Sequence, residues 1–547
     1  MSADGLDQDF DYVIVGGGSA GCVLANRLSA DPAVRVCLLE AGPEAHSPLI
    51  AIPIGIMALI SNPRFNWCSR TVPQPNAAGR EIFVPHGKVL GGGSSINGMV
   101  YMRGDADDYD GWAAAGNLGW SYAEVLPYFV RSEDNQRWTA SPLHGRGGPM
   151  AVADMRTINP TAHAFVEAAA LLQIPRSDDF NVPHPLGAGM RQVTQRRGRR
   201  ESVVTAFLDP VRDRGNLAVV TEAMIDRVVL DGRRASAVAA RIGGETRVIR
   251  SRREVVLCAG AFGSPAILQR SGIGDPDGLS AVGIDVSFCL PGVGANLQDH
   301  HTAMIMHKAL SRVPYGLSLG ALPRLAGHGL SYLFARRGLL SSNSGEAAAF
   351  VCAGPHGAQA DIQLSFVSGR RGTGLKVEQW GHGYGITAIL LHPQSRGSVA
   401  VRSADANDPP AIDLGAFGVD ADLDALVAGL KLAREVLGAP SFARYRAHEV
   451  TPGPAATDDA ALRDYVRRTS ATAFHPAGTC AMGSGDGAVV DPTLKVHGIE
   501  ALRVADASIM PRIVGGNTNA PVIMIAEKAA DMILGRLAPE PIHLAEA

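Results

Sequence analysis

The order of apolar and polar positions predicts an alternating strand–helix–strand opening. Tyr12 to Val15 is a short uninterrupted apolar run, as expected of a strand covered on both faces. Gly16 to Gly21 breaks the run. Cys22 to Ser29 then places Val23, Leu24 and Leu28 at helical spacing, and Arg35 to Leu39 reads as the next strand. Such a unit implies a parallel sheet with helices on its faces. Further strands are predicted at Leu217 to Val220, Val228 to Leu230, Glu254 to Cys258 and Leu502 to Val504. The pattern differs between Thr302 and Val466. Ala360 to Val367 and Tyr384 to Leu391 read as longer strands, Ser395 to Ser403 alternates like an antiparallel edge, and Leu423 to Leu437 is an amphipathic helix.

These elements group into two domains, as a chain of 547 residues leads one to expect. Residues 9–155, 200–301 and 467–540 are assigned to a discontinuous α/β, dinucleotide-type domain. Residues 156–199 and 302–466 are assigned to a second, substrate-facing domain. A net charge of −3 offers no footprint for nucleic acid. The seven cysteines are scattered without a CxxC pair, so neither a disulfide framework nor a metal site is indicated. The acidic N-terminus does not suit a secretory signal, and the longest apolar stretch, Leu49 to Ile60, is interrupted by Pro53 and Gly55. A cytoplasmic protein is expected.

Gly16, Gly18 and Gly21 stand as GxGxxG between a strand and a helix. Glu40 ends the next strand, at the spacing of an acid that binds a ribose hydroxyl. Together they predict an adenine dinucleotide, FAD or NAD. Gly91 to Gly93 would let the backbone lie against a flat ligand, and Asn97 offers an amide to it.

The segments GKVLGGGSSINGMVYMRG (Gly87 to Gly104), GAFGSPAILQRSGIG (Gly260 to Gly274), HPAGT (His475 to Thr479) and the block Ala505 to Asp531 resemble, in order, the signatures of the glucose-methanol-choline (GMC) oxidoreductases. Within that family the chain is similar to bacterial choline-dehydrogenase-like and medium-chain alcohol dehydrogenases. The resemblance implies FAD, a Rossmann-like FAD domain and a substrate domain with a large antiparallel sheet. It places cofactor contacts at Gly16, Gly18, Ser19, Ala20, Gly21, Glu40, Ala41, Gly93, Asn97, Met99, Val100, Ile225, Ala259, Ala505, Asp506, Asn517 and Thr518. Ile96 stands where some members carry a histidine bonded to FAD, so non-covalent FAD is expected.

His475 lies in a glycine- and proline-punctuated loop, and the resemblance makes it the base that takes an alcohol proton. Its unperturbed pKa of about 6.5 suits that task. Asn517 is its expected partner, with Asn519 the nearby alternative. Ala473 and Phe474 are expected to line the flavin face, and Glu346 to contact substrate. The implied reaction is oxidation of a primary aliphatic or aryl alcohol to an aldehyde, with quinone, another carrier or O2 as acceptor. An oxygen-using oxidase and a non-redox, FAD-containing hydroxynitrile lyase are the alternatives. Apolar residues interleaved with Arg324, Arg336 and Arg337 between Gly316 and Leu340 suggest a peripheral contact with the inner membrane.

Overall fold

A computed structural model describes residues 9–354, 359–370 and 380–544; the acidic residues 1–8 read above lie outside them. The opening unit forms as its pattern predicts. Strand Phe10–Val15 is wholly buried, helix Ser19–Leu28 follows, and strand Val36–Leu39 pairs in parallel with the first. Val13, Ile14, Val36 and Leu38 carry no exposed surface, which is why the run shows no polar alternation.

Around this unit a seven-stranded sheet assembles in the order Leu217–Val220, Val36–Leu39, Phe10–Val15, Glu245–Leu257, Arg234–Ile242, Ala223–Asp231, with Leu502–Val504 beside the end of Glu245–Leu257. The sheet is mixed. Strand Glu245–Leu257 lies antiparallel to Arg234–Ile242 over its first half and parallel to Phe10–Val15 and Leu502–Val504 over its second. Its change of partners brings the chain to Cys258 and Ala259 at the mouth of the first glycine turn.

The second sheet has eight strands. Its main path is antiparallel: Arg446–Thr451, His301–Ala309, Gly381–Leu390, Ile362–Val367, Ala347–Val351, Gly187–Met190. Helix Asp420–Gly438 covers one face with Leu423, Leu426, Leu430 and Leu437. Ser398–Ala400, within the segment read as an antiparallel edge, pairs antiparallel with Ala411–Asp413 in a separate two-stranded ladder. Ala77, Ile82 and Val84, which belong to residues 9–155, pack in the core of the second sheet.

Helix Leu322–Ala335 presents Leu330, Leu333 and Phe334 outward, 57%, 66% and 87% exposed. Among the described residues, no helix is long and apolar enough to cross a membrane.

Candidate active site

Between the two sheets lies a cavity of about 700 Å³, of a size ordinary for cofactor and substrate sites. Its dinucleotide end is built from strand ends. Gly16 has φ +100°, and a Cβ there would stand 2.5 Å from the Cys258 carbonyl oxygen. Gly92 approaches Gly18 so closely that its Cβ would meet the Gly18 Cα at 2.9 Å. Gly18 caps helix Ser19–Leu28 without a side-chain partner, so the helix N-terminus is available to a phosphate. Glu40 accepts from the Gly17 and Gly42 amides at 2.8 and 2.7 Å, and burial raises its carboxyl to about 7. A cradle that a Cβ would fill, with an uncapped helix end and an acid at the strand terminus, fits an adenine dinucleotide.

Most of the expected cofactor contacts line this cavity: Gly16, Gly18, Ser19, Ala20, Glu40, Ala41, Gly93, Asn97, Met99, Val100, Ile225, Ala259, Asp506, Asn517 and Thr518. Gly21 and Ala505 do not. A Cβ on Gly21 would meet the Gly16 carbonyl oxygen at 1.9 Å, so this glycine serves helix–strand packing. Ala505 is buried in the first core. The Asp506 carboxylate accepts from the Gly260 and Ser508 amides and from the Ser264 and Ser508 hydroxyls, tying together two of the family segments. Ile96 packs against Ile50, Leu59, Phe65 and Val89.

The opposite end holds the histidine. Residues 473–478 run against 296–300: Ala473 donates to the His300 carbonyl at 2.8 Å, and Gln298 and Ala477 exchange backbone bonds at 3.0 and 2.9 Å. Gly478, at φ +93°, has no room for a Cβ beside the Asn296 carbonyl. The His475 amide donates to Asp299 Oδ1 at 2.9 Å, and burial raises that carboxyl to about 7. So fastened, His475 directs Nε2 to Asn517 Nδ2 at 2.9 Å and Nδ1 to His300 Nδ1 at 2.9 Å. Burial lowers His475 to about 4, leaving it neutral at pH 7; the unperturbed value expected from sequence does not hold here. Asn519 is occupied elsewhere, accepting from the Ser19 hydroxyl at 2.8 Å.

Ala473 and Phe474 line the cavity, but Glu346 does not. The Glu346 side chain is fully buried and accepts from the Asn159 amide and from the Ser342, Ser368 and Tyr315 hydroxyls. It is a structural carboxylate, and its placement as a substrate contact is corrected. Sequence reasoning missed His300, whose signal was the adjacent pair His300-His301 after Asp299. It also missed Arg191, Gln363 and Ser365, which line the cavity from the second sheet. An isolated arginine or glutamine in a strand pattern gives no comparable signal.

A two-sheet fold with a dinucleotide cradle facing a histidine–asparagine pair defines a flavin-type oxidoreductase, and sequence comparison gives its family. Models of the GMC oxidoreductases match residues 10–302 and 393–526. The chain belongs to that family, FAD-binding enzymes that act on CH–OH groups. It is 42% identical to the alcohol dehydrogenase [acceptor] of Pseudomonas putida, over 96% of each chain. It is 40% identical to the oxygen-dependent choline dehydrogenase of Sinorhizobium fredii, again over 96% of each. A solved formate oxidase from Aspergillus oryzae, a variant made to probe FAD modification, superimposes with a TM-score of 0.89 at 27% identity, covering 96% of this chain and 98% of that one.

Proposed function

We propose that this chain oxidises a primary alcohol to the aldehyde, with His475 as the base. When bound, FAD supplies the hydride acceptor. It would be held by the Gly16–Ala20 turn, Glu40, the Gly93–Val100 segment, Ala259 and Asp506, without a covalent bond, because Ile96 offers no nucleophile.

The observation that carries the reading is the pair His475 Nε2 and Asn517 Nδ2 at 2.9 Å on the cavity wall. The Asn517 Nδ2 group can only donate, so Nε2 is the unprotonated nitrogen. The ring proton then sits on Nδ1 and is donated to His300 Nδ1, which leaves the His300 proton on its own Nε2. In this tautomer His475 Nε2 accepts the hydroxyl proton as the C–H bond breaks. The Asn517 amide steadies the alcohol oxygen without competing for that proton. Burial keeps water from the pair.

The electrons leave to a quinone, another carrier or O2. For the first of these, a contact between helix Leu322–Ala335 and the inner membrane would bring the cofactor near a membrane-dissolved acceptor. The reading is tested by anaerobic flavin bleaching with a panel of primary alcohols, followed by air. Failure of every alcohol to bleach the wild-type flavin would defeat it; a lyase would stay yellow.

A further inference from the structure

Arg191 follows the edge strand Gly187–Met190 and lines the cavity while only 5% exposed. Among the described residues no carboxylate lies within ion-pair distance of it. Nη1 donates to the Gly345 carbonyl at 3.3 Å, and Nε has no hydrogen-bond partner. Burial lowers the guanidinium only to about 10, so it stays charged at neutral pH. A buried, uncompensated cation is unfavourable unless something neutralises it.

A second buried donor points the same way. Gln363 is 1% exposed, lines the cavity, and leaves Nε2 without a partner. Ser365 stands two residues on, on the same strand face, and its register partner Thr387 also lines the cavity. The strand next to the His475 loop is His301–Ala309, and from it the sheet passes through Gly381–Leu390, Ile362–Val367 and Ala347–Val351 to the edge strand that precedes Arg191. Several strand spacings, each about 4.8 Å, therefore separate the two ends.

We infer that the substrate-facing sheet carries an anion subsite, with Arg191 as its cation and Gln363 as an auxiliary donor, and that the preferred substrate is an elongated alcohol bearing a carboxylate at the end remote from its hydroxyl. This rests on the alcohol-oxidising reading above and specifies its substrate class. The unpaired guanidinium takes the carboxylate, preferably through two parallel hydrogen bonds, while the hydroxyl meets His475 and Asn517.

The test compares 8-hydroxyoctanoate with 1-octanol in anaerobic flavin reduction by the holoenzyme, alongside octanoate binding read from the flavin absorbance. Wild type should favour the hydroxy acid by about tenfold or more in efficiency, the range of one charge-assisted contact. In Arg191→Met that ratio should fall toward one and octanoate affinity should drop by a similar factor; Arg191→Lys should recover part of both. Equal efficiency for the two alcohols in wild type, or an unchanged ratio in Arg191→Met, overturns the inference. So does loss of FAD from both variants, which would assign the guanidinium to the cofactor. Should neither alcohol bleach the flavin, the oxidation reading fails, and Arg191-dependent octanoate binding still decides the subsite.

Discussion

His300 and His475 meet Nδ1 to Nδ1 at 2.9 Å, with their rings at 84° to each other. Two neutral imidazoles in this contact share one proton between them, and the Asn517 amide at the far nitrogen of His475 decides which ring carries it. In the proposed reaction His300 would hold His475 in the tautomer that Asn517 sets, accepting from His475 Nδ1 both before and after the proton transfer.

Replacing His300 by Phe should slow flavin reduction by about tenfold, the worth of one buried hydrogen bond, with FAD retained. His300→Asn, which can still accept, should recover part of the rate. A rate unchanged in the Phe variant would remove His300 from the positioning of the base. A purely structural role would lower thermal stability in both variants without the partial rescue.

His475→Ala should lose about 10²–10⁴-fold in flavin reduction, the span attributed to a general base, while keeping its yellow colour. Asn517→Ala should lose less. A greater loss from Asn519→Ala would contradict the geometry, since Asn519 is bonded to Ser19 rather than to His475.

The pH dependence follows from burial. His475, His86 and His301 are each lowered to about 4. Reduction should stay level down to about pH 5 and fall only as His475 protonates near its lowered pKa. Stability carries the matching sign. Unfolded histidines bind protons below about 6.5, whereas these folded ones do so only near 4. For these groups the unfolded state gains protons first, and their contribution to stability falls as pH drops through that window, by about 1.4 kcal/mol per pH unit for each histidine. Glu40 and Asp299, raised to about 7, act with the opposite sign over the same range. Acidification from about pH 6.5 to 5 should therefore cost the melting midpoint less in a His86→Phe, His301→Phe variant than in wild type; the same pH profile in both would contradict the assignment.

Purified protein should release its flavin into the supernatant on denaturation, because Ile96 occupies the candidate attachment position and packs among Ile50, Leu59, Phe65 and Val89. Flavin that remains with the precipitate would show a covalent bond elsewhere.

The parts of the fold that could be read ahead of the structure were those where local periodicity and the tertiary environment agree. Phe10–Val15 and Val36–Leu39 are buried on both faces, so their apolar runs are unbroken. Helix Asp420–Gly438 covers a sheet with one stripe. Ser398–Ala400 forms the antiparallel strand its alternation suits, but alternation reports a half-buried strand and not its partner, here Ala411–Asp413. At the site, His475 and Asn517 sit in glycine-punctuated loops that stand out in the sequence. Glu346 misled because a carboxylate near a cavity looks the same whether it faces the cavity or four internal donors. Arg191 and His300 matter through what stands beside them across the fold, which no local window contains.

The proposed membrane contact rests on an inversion of the usual pattern. Helix Leu322–Ala335 turns Leu322, Leu330, Leu333 and Phe334 to solvent, and Trp380 and Leu319 extend the patch at 66% and 76% exposure. From His300 to Gly345 the chain contains no Asp or Glu. Arg312, Arg324, Arg336 and Arg337 therefore give the region a positive balance, and none is paired with a carboxylate among the described residues. Apolar side chains among unpaired arginines suit an anionic bilayer surface, where each charge is worth about 1 kcal/mol. The protein should sediment with vesicles of phosphatidylcholine and phosphatidylglycerol at low salt. It should release at high salt, and stay in solution with phosphatidylcholine alone. The double variant Leu330→Glu, Leu333→Glu should lose sedimentation, whereas Leu118→Glu, at an exposed leucine outside the patch, should not. If the wild-type protein stays in the supernatant and light scattering gives a dimer that the double variant dissociates, the face joins two copies of the chain instead, and a soluble carrier or O2 becomes the acceptor.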